Sequence, residues 1–207
     1  MRDVIKLAYK SVWMLLFLSK SFLTTRIFRL KLWLNHVDYG KNVTSANSIT
    51  RLLISKSATG VKIGNAVAFN NYDGPSWNCK CCLQVKEGGK IIIGDNSGFN
   101  GVYIYCSLAV TIGEWVKIGG GTMIIDTDFH PLDFEKRRCG FEGMNSKPVV
   151  IEDDVFVGTH CIICKGVRIG KRSIVAAGSV VVKDIPNGEV WGGNPAKFIR
   201  KIVNKYE

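Results

Sequence analysis

Ile151-Glu-Asp-Asp-Val-Phe, Val157-Gly-Thr-His-Cys-Ile, Ile163-Cys-Lys-Gly-Val-Arg, Ile169-Gly-Lys-Arg-Ser-Ile, Val175-Ala-Ala-Gly-Ser-Val and Val181-Val-Lys-Asp-Ile-Pro decide the fold. Every block of six opens on Ile or Val, the second residue is mostly small, and the fifth is Val, Cys, Ser or Ile. Neither a helical period nor simple alternation produces this spacing. A parallel β-helix does. Each hexad is a short strand plus a bend, the aliphatic opener points into the stack, and three hexads close a triangular coil of roughly 18 residues. Neighbouring coils then bury each other's faces. The same frame returns at Ile112, Ile118 and Ile124, at Ile93 and Phe99, and at Ile63 and Phe69. An ordinary β-sandwich would not keep so many aliphatics in one frame.

The breaks in the frame are informative too. Between Ile124 and Ile151 the period is lost, and Pro131 to Lys147 read as a polar segment with Arg137, Arg138 and Glu142. Such an insertion cannot enter a stacked core, so a loop over 130–148 is expected to project outward. The stretch from Asn70 to Gly89, with Trp77, Cys79, Cys81 and Cys82, is irregular as well. Residues 1–40 form a separate region. The first 36 hold seven Lys or Arg against one Asp, and Val4, Leu7, Ala8, Val12, Leu15, Leu16, Leu18 and Phe22 fall near helical spacing among Lys6, Lys10 and Lys20. A basic amphipathic helix or helix pair is expected there, capping the open end of the coils, lying on an anionic membrane surface, or both. The β-helix is assigned to 41–188. In 189–207, Gly192, Gly193 and Pro195 make a turn, and Phe198, Ile199 and Ile202 are expected on the buried face of a short helix.

Composition narrows the function. The longest apolar run, Val12 to Leu18, is far short of the roughly 20 residues a membrane-spanning helix needs. Seven cysteines, an odd number, fit a reducing cytoplasm better than a disulfide scaffold. The net charge of +11 suggests polyanionic partners. Outside the first 36 residues, 21 basic and 16 acidic side chains leave only +5, and no nucleic-acid motif is present. Cys79, Cys81 and Cys82 lack a second pair with zinc-ligand spacing, so no metal is expected.

Three features together resemble one family: the hexad frame, the segment Asp126-Thr-Asp-Phe-His130-Pro, and the tail Gly193-Asn-Pro-Ala-Lys197. They are similar to the hexapeptide-repeat acetyltransferases, which include galactoside, maltose and bacterial polysaccharide O-acetyltransferases. The likeness covers about residues 60–203. It implies a left-handed β-helix, against the usual right-handed crossover, and a homotrimer with acetyl-CoA in the groove between subunits. It also implies a set of site residues. His130 would be the general base, since a sugar hydroxyl must lose its proton as it attacks and imidazole, with a pKa near ~6.5, suits that task. Asn100 would bind the acceptor. Thr159 and Ala177 would lie along the pantetheine arm, with Lys183, Lys197 and Arg200 near the rest of the coenzyme. Asp126 and Asp128 read as solvated loop carboxylates.

The expected activity is therefore acetyl transfer from acetyl-CoA to a sugar or glycan hydroxyl in surface polysaccharide synthesis, in the cytoplasm or at the inner face of the membrane. N-acetylation of a nucleotide-linked amino sugar stays open, as does a non-catalytic assembly module. A carbonic anhydrase would need three histidines around a metal. His36, His130 and His160 are the only histidines, and His36 lies outside the repeat.

Overall fold

The computed structural model describes residues 2–73 and 78–203, without the side chains of residues 2–10, 12, 13 and 73. Trp77 and the side chains of Val4, Lys6, Leu7, Ala8, Lys10 and Val12 therefore lie outside the described residues. Six coils stack into a triangular prism with three parallel ladders as its faces. The first face runs Asp38–Tyr39, Gly60–Ile63, Lys90–Ile93, Ala109–Ile112, Val149–Ile151, Arg168–Ile169. The second runs Thr44–Ala46, Ala68–Asn70, Gly98–Asn100, Lys117–Ile118, Phe156–Val157, Ile174–Val175, Glu189–Gly192. The third runs Arg51–Ile54, Cys82–Val85, Tyr103–Cys106, Met123–Ile125, Ile162–Ile163, Val180–Val181.

Register explains the hexad openers. Ile63, Ile93, Ile112, Ile151 and Ile169 are paired rung to rung on the first face, and each is at least 99% buried. Phe69, Phe99, Ile118, Val157 and Val175 form the second column, and Leu83, Ile104, Ile124, Ile163 and Val181 the third. Each fully buried aliphatic contributes about 1.5–3 kcal/mol, so the three columns carry the fold.

A single helix, α1 (Arg2–Leu34), closes the open end. Thr24, Phe28 and Leu32 recur every four residues and are its buried positions among the described side chains. The Phe28 ring meets Phe69 edge-on at 5.4 Å, and Phe69 stacks on Phe99 at 5.1 Å. Thr24 Oγ1 donates to the Ser45 carbonyl at 2.6 Å and Arg29 Nε to that of Val43 at 2.9 Å, so the helix satisfies the first coil's exposed carbonyls. Coiling begins directly after it, at Asp38. Among the described residues no helix is long and apolar enough to cross a membrane.

The tail corrects one expectation. Residues 197–201 are a strand, not a short helix: Glu189–Gly192 extends the second face, and Lys197–Lys201 folds back antiparallel on it. Phe198 and Ile199 are exposed rather than buried. The last rung of a ladder leaves backbone donors and acceptors open, and a returning strand satisfies them where a helix would not. In the irregular stretch, Tyr72–Asp73 and Asn78–Cys79 pair antiparallel outside the coil, and the chain rejoins the third face at Cys82.

Candidate functional site

The three edges of the prism differ. Where the second face turns into the third, the residues after each strand are small. Register continued past Ile118, Val157 and Val175 aligns Gly119 and Gly120 with Gly158 and Thr159, then with Ala176 and Ala177. These coils approach closely: a methyl group on Gly119 would stand 2.6 Å from the Thr159 amide nitrogen, and one on Gly158 would stand 2.5 Å from that of Ala177. Only hydrogen fits at those positions, and the edge stays bare of side chains. A cleft of about 400 Å³ opens there, lined by Tyr72, Asn100, Gly119, Gly120, Phe156 and Thr159. Asn100 is held in it by a ladder bond, Asn70 Nδ2 donating to its Oδ1 at 2.9 Å. Farther along the edge Gly192 pairs with Lys197, and the exposed Lys197, Arg200 and Lys201 share that strand.

His130 belongs to the next edge, where the third face turns into the first. Its loop leaves after Met123–Ile125 and returns at Val149–Ile151. Asp126 clamps the exit. It is fully buried, and its carboxylate accepts the backbone N–H groups of Ser107, Leu108 and Ala109 at 2.7, 2.6 and 2.9 Å. Its own carbonyl accepts from Lys147 at 2.9 Å, which ties the loop's return to its exit. The reading of Asp126 as a solvated carboxylate is thus corrected. Asp128 pairs with Lys165 at 3.2 Å. Phe129, at φ 63°, sets its ring edge-on to Tyr105 at 4.6 Å. The His130 ring is exposed and stacks on Phe141 of the same loop at 5.3 Å, and Arg137 donates to the carbonyls of Pro131 and Leu132. A short helix, α2 (Phe134–Cys139), capped by Asp133, stiffens the projection. Lys183 follows the last strand of the third face and is exposed on this same edge.

One chain therefore gathers Asn100, Thr159, Ala177 and Lys197 along one edge and His130 with Lys183 along another. Residue reading alone missed Tyr72, Phe156 and Phe141. Their only signal is position, an aromatic at an outward site beside an opened frame. The cysteines do not form a ligand set. Cys79 Sγ donates to the Gly101 carbonyl, and burial pushes the Cys81 thiol up to about 12. Among the described residues no group of three or more His, Cys, Asp or Glu is placed to hold a metal.

Residues 148–183 match the family described as "Hexapeptide repeat of succinyl-transferase". The repeat region is similar to that of the hexapeptide-repeat acetyltransferases. Galactoside O-acetyltransferase of Escherichia coli is 40% identical over 120 residues, 57% of each chain. A hexapeptide-repeat acetyltransferase of Vibrio cholerae, solved with acetyl-coenzyme A, is 39% identical with a TM-score of 0.53 over 58% of this chain and 64% of that one. The "polySia specific acetyltransferase NeuO" is 25% identical with a TM-score of 0.54, and the match covers 83% of this chain and 78% of that one. The hexapeptide-repeat acetyltransferase relatives include both O- and N-acetyltransferases. The chain spans between 56% and 59% of the length of three of the curated relatives it matches.

Proposed function

We propose that the protein transfers acetyl from acetyl-CoA to a hydroxyl of a sugar or glycan, as part of surface polysaccharide synthesis in the cytoplasm. The observation that carries this is the division of the site between two edges. The bare, glycine-lined edge suits a long, flexible coenzyme arm lying against backbone, with Thr159 and Ala177 beside it, Lys197 and Arg200 toward its phosphates, and Lys183 reaching the coenzyme from the loop edge of the neighbouring subunit. Asn100 orients the acceptor. His130, exposed on a loop clamped at its root, takes the hydroxyl proton as the oxygen attacks the thioester carbon, and returns it to the departing sulfur. Because the halves stand on different edges, the working unit is a ring in which one subunit's cleft faces its neighbour's loop. A head-to-tail ring of this kind closes as a trimer of left-handed coils.

The test is thiol release from acetyl-CoA over a panel of sugars and amino sugars. His130→Ala lowers kcat by about 10²–10⁴-fold; equal turnover would remove His130 as base. Amino sugars alone turning over would make this an N-acetyltransferase, and a silent panel without acetyl-CoA binding would leave an assembly module. Co-expression of His130→Ala with Asn100→Ala, each inactive alone, sharpens the geometry. Random mixing in a trimer restores about a quarter of wild-type activity, since one kind of interface then joins an intact cleft to an intact loop. No recovery would put both residues in one subunit's site.

A further inference from the structure

The outer face of the N-terminal cap is apolar. Capping elements of a solenoid ordinarily turn a polar face to water. Here Leu15, Phe22, Leu23, Leu30, Trp33 and Leu34 of α1 are 54–67% exposed. At about 100° per residue these six fall in one arc about 120° wide, whose middle lies opposite Phe28. The helix is thus two-faced. From Ser21 onward Thr24, Phe28 and Leu32 plug the coil and the far side is a stripe that is apolar except for Arg26, while Met14, Phe17 and Leu18 before it are exposed outside the arc as well. The stripe also runs past the coil. Every described side chain from Met14 to Lys20 is exposed, and Leu15 lies almost two turns before Ser21, which accepts the Asn47 N–H.

The charge around the stripe selects its occupant. Asp3 is the sole acid among the first 36 residues, against seven Lys and Arg. Lys20 and Lys31 fall together on one flank of the arc. Arg26 falls within it, its guanidinium lying over the Phe22 ring at 5.0 Å, where the stem packs on apolar surface and the head reaches a phosphate. We infer that α1 lies in the plane of an anionic lipid surface, its outer stripe among the acyl chains and its basic residues at the headgroups, with the prism standing end-on above it. A helix too polar to span and too apolar for water has its minimum at that interface. This stands on α1 alone and is independent of acetyl transfer.

Vesicle flotation of the full-length protein tests it. The wild type floats with phosphatidylglycerol-containing vesicles and more weakly with pure phosphatidylcholine. Phe22→Gln/Leu30→Gln/Trp33→Gln, changed only at exposed positions, keeps its circular dichroism and melting temperature but loses at least about a hundredfold in partitioning. Lys20→Gln/Lys31→Gln loses roughly tenfold on the anionic vesicles, as does added salt. A wild type that stays at the bottom with both vesicles overturns the inference, as does a triple variant that floats unchanged. Sedimentation separates the competing occupant: a triple variant of lower mass, beside a wild type that ignores lipid, would mean the stripe packs against further copies of the chain.

Discussion

Two edges of the same prism close the same coils in opposite ways. Where the first face turns into the second, each coil spends a side chain on its neighbour. Asp95 accepts the Asn65 amide N–H at 2.7 Å and Asn65 Nδ2 at 3.0 Å, Asp153 accepts the Glu114 N–H at 3.0 Å, and Asn187 accepts that of Lys171 at 3.0 Å. Where the second face turns into the third, the corresponding residues are Gly120, Thr159 and Ala177, and the cleft opens there. Backbone geometry alone does not demand the difference, since both edges turn through left-handed residues, Asn96, Trp115 and Asp154 on one and Gly121, His160 and Gly178 on the other. An edge that satisfies itself is structural, and an edge stripped to backbone has room for something else to lie on it.

The third edge, which carries the loop, gives the largest expected effect on stability. Asp126→Ala would leave three part-buried N–H donors without their acceptor, for a loss of about 2–4 kcal/mol by urea denaturation. Asp126→Asn keeps one acceptor oxygen and recovers part of it. A solvated loop acid would instead move stability by less than about 0.5 kcal/mol, and that result would break the account of the loop's clamp.

The bare edge should respond in binding rather than stability. Thr159→Phe fills the cleft from an exposed position, so it raises the KM for acetyl-CoA by about tenfold to a hundredfold while the melting temperature holds. Lys41→Phe, adding similar bulk on the self-satisfied edge, changes neither. Equal KM values in the two variants would erase the functional distinction between the edges.

Much of this was legible in the residues, for a physical reason. A coil's core needs an aliphatic at every sixth position, so the frame is written locally, and its loss after Ile124 marks where the loop must leave. What was not legible depends on distant partners. Asp126 looks like any loop acid until its alignment with Cys106 turns it inward, over amides 17 to 19 residues earlier. Phe198, Ile199 and Ile202 fit a helix face as well as a strand, and only the open rung at Glu189–Gly192 decides between them. The separation of Asn100 from His130 was countable, since the 30 residues are one coil, one further side and the start of the loop, but its meaning needed the prism.

The smallest expected effect concerns acid. Hydrogen bonds from the Asn65 side chain and backbone hold the Asp95 carboxyl below its usual range, and the Lys171 ammonium, then the Glu114 N–H, does the same for Asp153. A carboxyl depressed in the folded state contributes stability that is present above its unfolded pKa, near ~3.9, and is lost as pH falls through the lower folded value. The first edge should therefore loosen below about pH 4. Lys171, raised chiefly by its bond to Asp153, gives the mirror image: its share is present below its unfolded pKa, near ~10.4, and is lost as pH rises through the folded value. All three groups are solvent-exposed, so screening keeps the effect small. Melting temperatures from pH 7 to 3 should fall less for Asp95→Asn/Asp153→Asn than for the wild type, while Thr159→Phe retains the full acid slope because its edge has no such carboxylate. Parallel acid limbs in all three proteins would mean that the carboxylate ladder adds nothing to the turns it bridges, and that the two edges differ in occupancy alone.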